Sequence, residues 1–340
     1  MLETVRQYAQ DRLDESGESR TARDSHMSYY VEQTEKAATL YQGARQGEVN
    51  AWLRVEQGNL LAAHAWAMHA PDGGGLGLRL AASWWRYCIA SDQLYLGREM
   101  SMASLQHGDA GVEMKARAHL LVGLATILLC MGRYDESTAS AEEALTLARE
   151  IGDSEALSNA LMMLTAERRP DEDPVLVAAR FAEIDHLART QGDSLMKARS
   201  LNHLGEALRR RGNFAAAAAS YEDALVAARA VGSPGTIAMI ACNFGRLLVA
   251  EGAVKDARDL LREALVISLE NHVLGLIQSV FEAGAGLAFL SGKPRLAARL
   301  HGAALARMRE SGARREPVDE EFIAPLMQRA RDAWKLGIRQ

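Results

Sequence analysis

Apolar side chains in this chain line one helical face, stop at a turn, resume, and repeat the arrangement about every 40 residues. The stretch from Ala198 to about Gly232 shows it best. Leu201, Leu204 and Leu208 step by three and four, the spacing of a single helix face. Arg211-Gly212-Asn213 interrupts the pattern, with the glycine placed as a helix C-cap. Phe214, Ala217, Tyr221, Ala224 and Leu225 then take it up again. This spacing predicts two antiparallel helices joined by a tight turn.

Neighbouring stretches carry the same signals. Gly132-Arg133-Tyr134, Gly252-Ala253-Val254 and Gly292-Lys293-Pro294 occupy the turn slot of Gly212-Asn213-Phe214. Five residues beyond each slot stands a mostly small residue: Ser137, Val177, Ala217, Ala257, Ala297. Glu172 replaces the turn glycine in one unit, within a proline- and acid-rich segment. Ala125, Gly205, Gly245 and Ala285 share a slot in the first helix, where small size lets a neighbouring helix approach. Gly152, Gly192, Gly232 and Gly312 close the pairs, and Asp153 and Asp193 follow as N-caps of the next helices. A fixed period in this range marks a stacked array of supersecondary units. The units predicted run 74–111, 112–152, 153–192, 193–232, 233–272 and 273–312, with residues 313–340 holding a capping helix near 324–336. Residues 1–70 fall outside the period and read as three helices: Met1 to Leu13, Ala22 to Ala38 and Glu48 to His69.

Composition agrees with an all-α chain. Of 340 residues 48% are hydrophobic, yet only 6% are aromatic, and Ala and Leu, both strong helix formers, recur throughout. The net charge of −5, from 39 basic and 44 acidic residues, argues against nucleic-acid binding by this chain. The most basic run, Arg209-Arg210-Arg211, reads as a solvated helix C-terminus favoured by the helix dipole. Asp319-Glu320-Glu321 reads as the matching acidic start of the last helix. Cys88, Cys130 and Cys242 are widely spaced, as suits reduced thiols. No apolar run reaches the ~18 residues of a membrane span, and no signal peptide opens the chain. The expectation is a cytoplasmic protein with no membrane association.

Leu204-Gly205, Gly212-x-Phe214-x-x-Ala217, Tyr221 and Ala224-Leu225 resemble the tetratricopeptide repeat in order and spacing. The resemblance implies a right-handed superhelical solenoid whose concave face is lined by the first helix of each pair. Further motifs are similar to the segment joining winged helix to repeats in STAND-class ATPases, including LuxR-type bacterial transcriptional regulators. These are Leu2-Glu3-Thr4-Val5-Arg6-Gln7-Tyr8-Ala9, His26-x-x-Tyr29-Tyr30 and Trp52-Leu53-x-x-Glu56-x-x-Asn59-Leu60. Arg299-Leu300-His301-Gly302 resembles the terminal repeat of the same proteins. The opening residues look like the tail of an upstream domain. The nearest approach to a phosphate-binding loop, Gly286 to Pro294, is one residue too long and ends in Pro where Ser or Thr belongs. ATPase activity and DNA binding therefore do not carry over.

No catalytic constellation is visible. The nine histidines show no HExxH, and no GxSxG or Cys–His arrangement occurs. His64, His69, His186 and His203 read as packed or surface histidines. Neither a cofactor nor a metal is called for. A hydrolase using Glu206 and Glu282 is the weakest of three readings. Recognition on the concave face is the strongest, with Asn159, Arg199, Asn202, Glu206, Arg209, Asn243, Arg246 and Glu282 as its exposed polar positions. Met162, Met163 and Met239 nearby suit either core or adaptable contact. The partner expected is a protein, a peptide or a small polar inducer. Two functions stand together: the sensor arm of a transcriptional regulator, and a free-standing adaptor for protein assembly.

Overall fold

A computed structural model describes residues 3–108, 113–165, 173–316, 319–321 and 323–329. Every regular element among them is helical. Three helices come first: α1 (Glu3–Ser16), α2 (Ser19–Tyr41) and α3 (Gln46–Ala67). Six antiparallel pairs follow: α4 (Gly73–Ala90) with α5 (Leu94–His107), α6 (Met114–Cys130) with α7 (Tyr134–Ile151), and α8 (Ser154–Thr165) with α9 (Pro174–Gln191). Next come α10 (Ser194–Arg210) with α11 (Phe214–Val231), α12 (Pro234–Glu251) with α13 (Val254–Glu270), and α14 (Ile277–Leu290) with α15 (Pro294–Ser311). Residues 319–321 and 323–329 are helical too. The Glu172 turn and residues 330–336 of the expected last helix lie outside the described residues.

The punctuation read from sequence acts as helix ends. Gly132, Gly152, Gly192, Gly212, Gly232, Gly252, Gly292 and Gly312 all have positive φ, which a side chain would strain. Asp92 and His272 adopt the same left-handed backbone at equivalent positions without being glycine. The Asp193 carboxylate accepts from the Leu195 and Met196 amides, and that of Asp153 from Ala156. These bonds satisfy donors that a helix start leaves without intrahelical partners.

Packing follows the repeat. Tyr221 is fully buried and stacks on Phe244 of the next unit, with ring centroids 5.7 Å apart. Ala217, Ala224, Ala257 and Ala264 are all at 0% exposure, so small residues set the spacing between helices. A second core gathers Trp84, Leu53, Leu60 and Leu80 where α2 and α3 meet α4. The non-periodic N-terminal helices therefore extend the stack.

The expected concave face is not left fully exposed, because the superhelix winds tightly enough to touch itself. Asn50 of α3 donates to the Asn271 carbonyl at 2.8 Å, and Gln46 accepts from the Gly235 amide at 2.7 Å. Arg307 of α15 pairs with Asp92 at 2.7 Å, and the Arg314 amide donates to the Cys130 carbonyl. The first helices of the pairs thus face an interior bordered by distant parts of the same chain.

Candidate functional site

The polar positions predicted for the concave face divide into two groups. Asn202, Glu206 and Arg209 of α10, Asn243 and Arg246 of α12, and Glu282 of α14 come together on the inner face. Asn159 and Arg199 lie apart from them. The Asn159 amide donates to the Glu155 carbonyl within its own helix. Arg199 sits near Arg86 and Glu155; burial and then the Arg86 charge pull its guanidinium down to about 10, against Glu155 and Asp193.

The inner-face residues are not exposed as the repeat pattern implied. Asn202 is 3%, Glu206 9% and Arg209 7% exposed. Part of the reason is the chain's own C-terminal segment, whose acids reach Arg209 and Arg210, whereas Asn202 is bonded by Asn243. Asp319 reaches two arginines at once, with Arg246 at 2.6 Å and Arg209 at 3.0 Å. Glu316 stands 3.7 Å from Arg210. Arg315 donates to Glu282 at 2.6 Å and also pairs with Glu320. Beyond these ion pairs, Ile323, Leu326 and Met327 bury themselves against Ala285, Ala288 and Ala297 of the last pair.

The readings of Arg209-Arg210 as a solvated helix end and of Asp319-Glu320-Glu321 as a dipole partner therefore need correcting. Arg209, Arg210 and Asp319 face one another across the interior, 110 residues apart for Arg209 and Asp319. No local signal announces such a pairing. Charge complementarity between the two runs was the one hint available.

Beneath the arginines lies a buried polar network. Arg209 donates to Glu206 at 2.9 Å, and the Tyr221 hydroxyl donates to the same carboxylate. Burial works to raise the Glu206 pKa, but Arg209 and Arg246 outweigh it and hold the group down to about 2. Burial likewise opposes the charge on Arg246, while Asp319, Cys242 and Glu206 push its pKa well up. Glu206 and Arg246 are thereby both held in their charged forms. The arginines are matched by opposite charge from Glu206 and Asp319.

A cavity of about 240 Å³ remains between the helices and the C-terminal segment. Asn243, Gln278, Ser279, Met239 and His203 help to line it. The Asn243 amide donates to Asn202 at 3.1 Å, but the Gln278 Oε1 atom is buried without a hydrogen-bond partner. A second cavity, of about 450 Å³, lies between α2, α4 and α6 beside Arg79, Arg86, His119 and Glu155. Its charges are already matched internally: Arg79 pairs with Glu35 at 2.7 Å, Arg86 with Glu155 at 2.9 Å, and Lys115 with Asp153 at 3.1 Å.

His64 bonds the Ser104 hydroxyl at 2.9 Å inside the core, and Met162 is core as well. Among the described residues no cluster of three His, Cys, Asp or Glu side chains is arranged to hold a metal ion. No described helix is long and apolar enough to cross a membrane.

Comparison with known proteins supports the repeat. Tetratricopeptide-repeat family models match residues 189–270 and 117–151. Such repeats form a non-catalytic scaffold that typically mediates protein–protein interaction. The chain is also similar to proteins of Mycobacterium bovis and Mycobacterium tuberculosis named as candidate HTH-type transcriptional regulators. Each is 32% identical over 209 residues, covering 57% of this chain and 22% of the relative. The chain thus spans about a fifth of the length of the curated relatives it matches.

Proposed function

We propose that this chain is the recognition arm of a bacterial transcriptional regulator, binding a protein or peptide partner on its inner face. The observation that carries the reading is the polar inner surface itself. Arg209, Arg246 and Glu282 project from three successive repeats into one interior. Stacked repeats commonly use this surface for binding. The regulatory assignment draws on the named relatives and on the opening motifs similar to those of STAND-class and LuxR-type regulators. ATP hydrolysis and DNA contact form no part of the proposal.

The family matches fall on the repeats alone, and that favours a second reading as an adaptor without a regulatory role. Deleting the coding sequence and measuring transcripts separates the two. A regulator arm predicts a defined set of altered transcripts, restored by the wild-type chain and not by Asn243→Asp/Gln278→Glu. Unchanged transcripts alongside loss of a co-purifying assembly would favour the adaptor.

A further inference from the structure

The interior has an occupant of its own, and its fit is imperfect in an informative way. The repeats place Arg209, Arg210 and Arg246 close together, with Glu206 as the carboxylate the inner helices supply beside them. Glu282, on the next inner helix, is taken by Arg315. The cationic floor is then completed by Glu316 and Asp319, two acids three residues apart on the C-terminal segment.

Charge is matched by this arrangement; hydrogen bonding is not. The Arg210 Nη2 and Gln278 Oε1 atoms are buried without hydrogen-bond partners. Asp319 Oδ1 lies 3.0 Å from Arg209 yet makes no aligned bond. Orphaned polar atoms of this kind each cost free energy. The cavity of about 240 Å³ lies alongside the same residues. The segment's apolar end is anchored separately, by Ile323, Leu326 and Met327 on the last helix pair. Its acidic part can therefore leave while the anchor holds.

We infer that residues 315–316 and 319–321 are a resident occupant of the recognition surface, and that its external partner is an acidic peptide segment that displaces them. The inference rests on the reading of the inner face as a binding surface and names the chemistry bound there. An acidic peptide fits because the arginines need carboxylates and because the resident already shows two at i, i+3 satisfying them. Occupancy in cis lowers the apparent affinity for the external peptide by the fraction of time the surface is free.

The test uses the full chain and a fluorescent synthetic peptide of residues 313–321, read by anisotropy at about 0.05 M salt, where ion pairs are weakly screened. Glu316→Gln/Asp319→Asn is expected to bind the peptide about tenfold or more tightly than wild type, a factor of ten being about 1.4 kcal/mol. Arg246→Ala added to that background should remove the gain, and a scrambled peptide should not bind. In the wild-type chain, saturating peptide should speed amide exchange at 313–321 and leave 323–329 protected. This exchange measurement decides the matter alone if the double variant does not fold. Equal peptide affinity in both chains, or unchanged exchange at 313–321 with peptide bound, overturns the inference. So does dimerisation of the double variant by light scattering, which would make a second copy the occupant. A partner that still requires Asn243 and Gln278 but ignores the arginines would end this inference and leave the recognition reading standing.

Discussion

Gly205 and Gly302 both sit within helices, and their surroundings give substitution opposite signs. A Cβ at Gly205 would stand 2.7 to 2.9 Å from the Tyr221 ring, which is fully buried and also bonded to Glu206. The ring has nowhere to go. Gly205→Ala should therefore destabilise by about 1–3 kcal/mol, as overpacking does. Gly302 has nothing within 4 Å of its Cβ position, so Gly302→Ala should gain up to about 1 kcal/mol of helix propensity. Denaturant melts of the two variants check this, and a shift in the same direction for both would refute the packing role of Gly205. Glu206 sets a pH dependence at the same scale. Its pKa falls from 4.5 to about 2 on folding, so its ionised form stabilises the fold fully above about 4.5. That contribution is lost as pH drops toward 2. The stability difference between wild type and Glu206→Gln should accordingly shrink across this window; a difference that stays constant would show that the carboxylate is not held ionised by its arginines.

At the scale of elements, the sequence was most legible where a local rule ends or starts a helix. Asp193 was readable as an N-cap because it follows a C-capping glycine and precedes an apolar face, and its carboxylate does bond two amides of α10. Asp193→Ala should cost about 0.5–2 kcal/mol, with faster amide exchange at Leu195 and Met196. Unaltered exchange at those amides would mean that the cap contributes nothing. The small residues at Ala125, Gly205, Gly245 and Ala285 were equally legible, since a helix pair repeats its contacts when its sequence repeats. Exposure on the inner face was not. A period shows which side of a helix faces away from its partner but not what else the chain lays across that side. Asn202, Glu206 and Arg209 thus read as open positions and are covered. The covering segment lies beyond the last repeat, where periodicity gives no guidance.

The tightness of the superhelix belongs to the whole molecule, and no single unit encodes it. Each pair rotates slightly on the one before, and the sum over six pairs decides whether the ends meet. A period read from sequence gives the number of units and not their rotation. The meeting is made by residues outside the repeat pattern: Asn50 and Gln46 of α3 each bond backbone more than 180 residues away. Asn50 is wholly buried, with its Oδ1 unpartnered, so the bond to the Asn271 carbonyl is what it offers in return for its burial. Replacing it by Ala removes the donor and leaves that carbonyl unpaired, which should cost about 1–3 kcal/mol. Gln46→Ala would act likewise on the Gly235 amide. If these contacts hold the winding closed, Gln46→Ala/Asn50→Ala should stay helical by circular dichroism while its radius of gyration in X-ray scattering increases. Amides 271–277 and 235–238 should exchange faster in the same variant, because they lose the neighbour that α3 provides. An unchanged scattering curve would show instead that helix-pair packing alone fixes the rotation, leaving the α3 contacts as consequences of the winding.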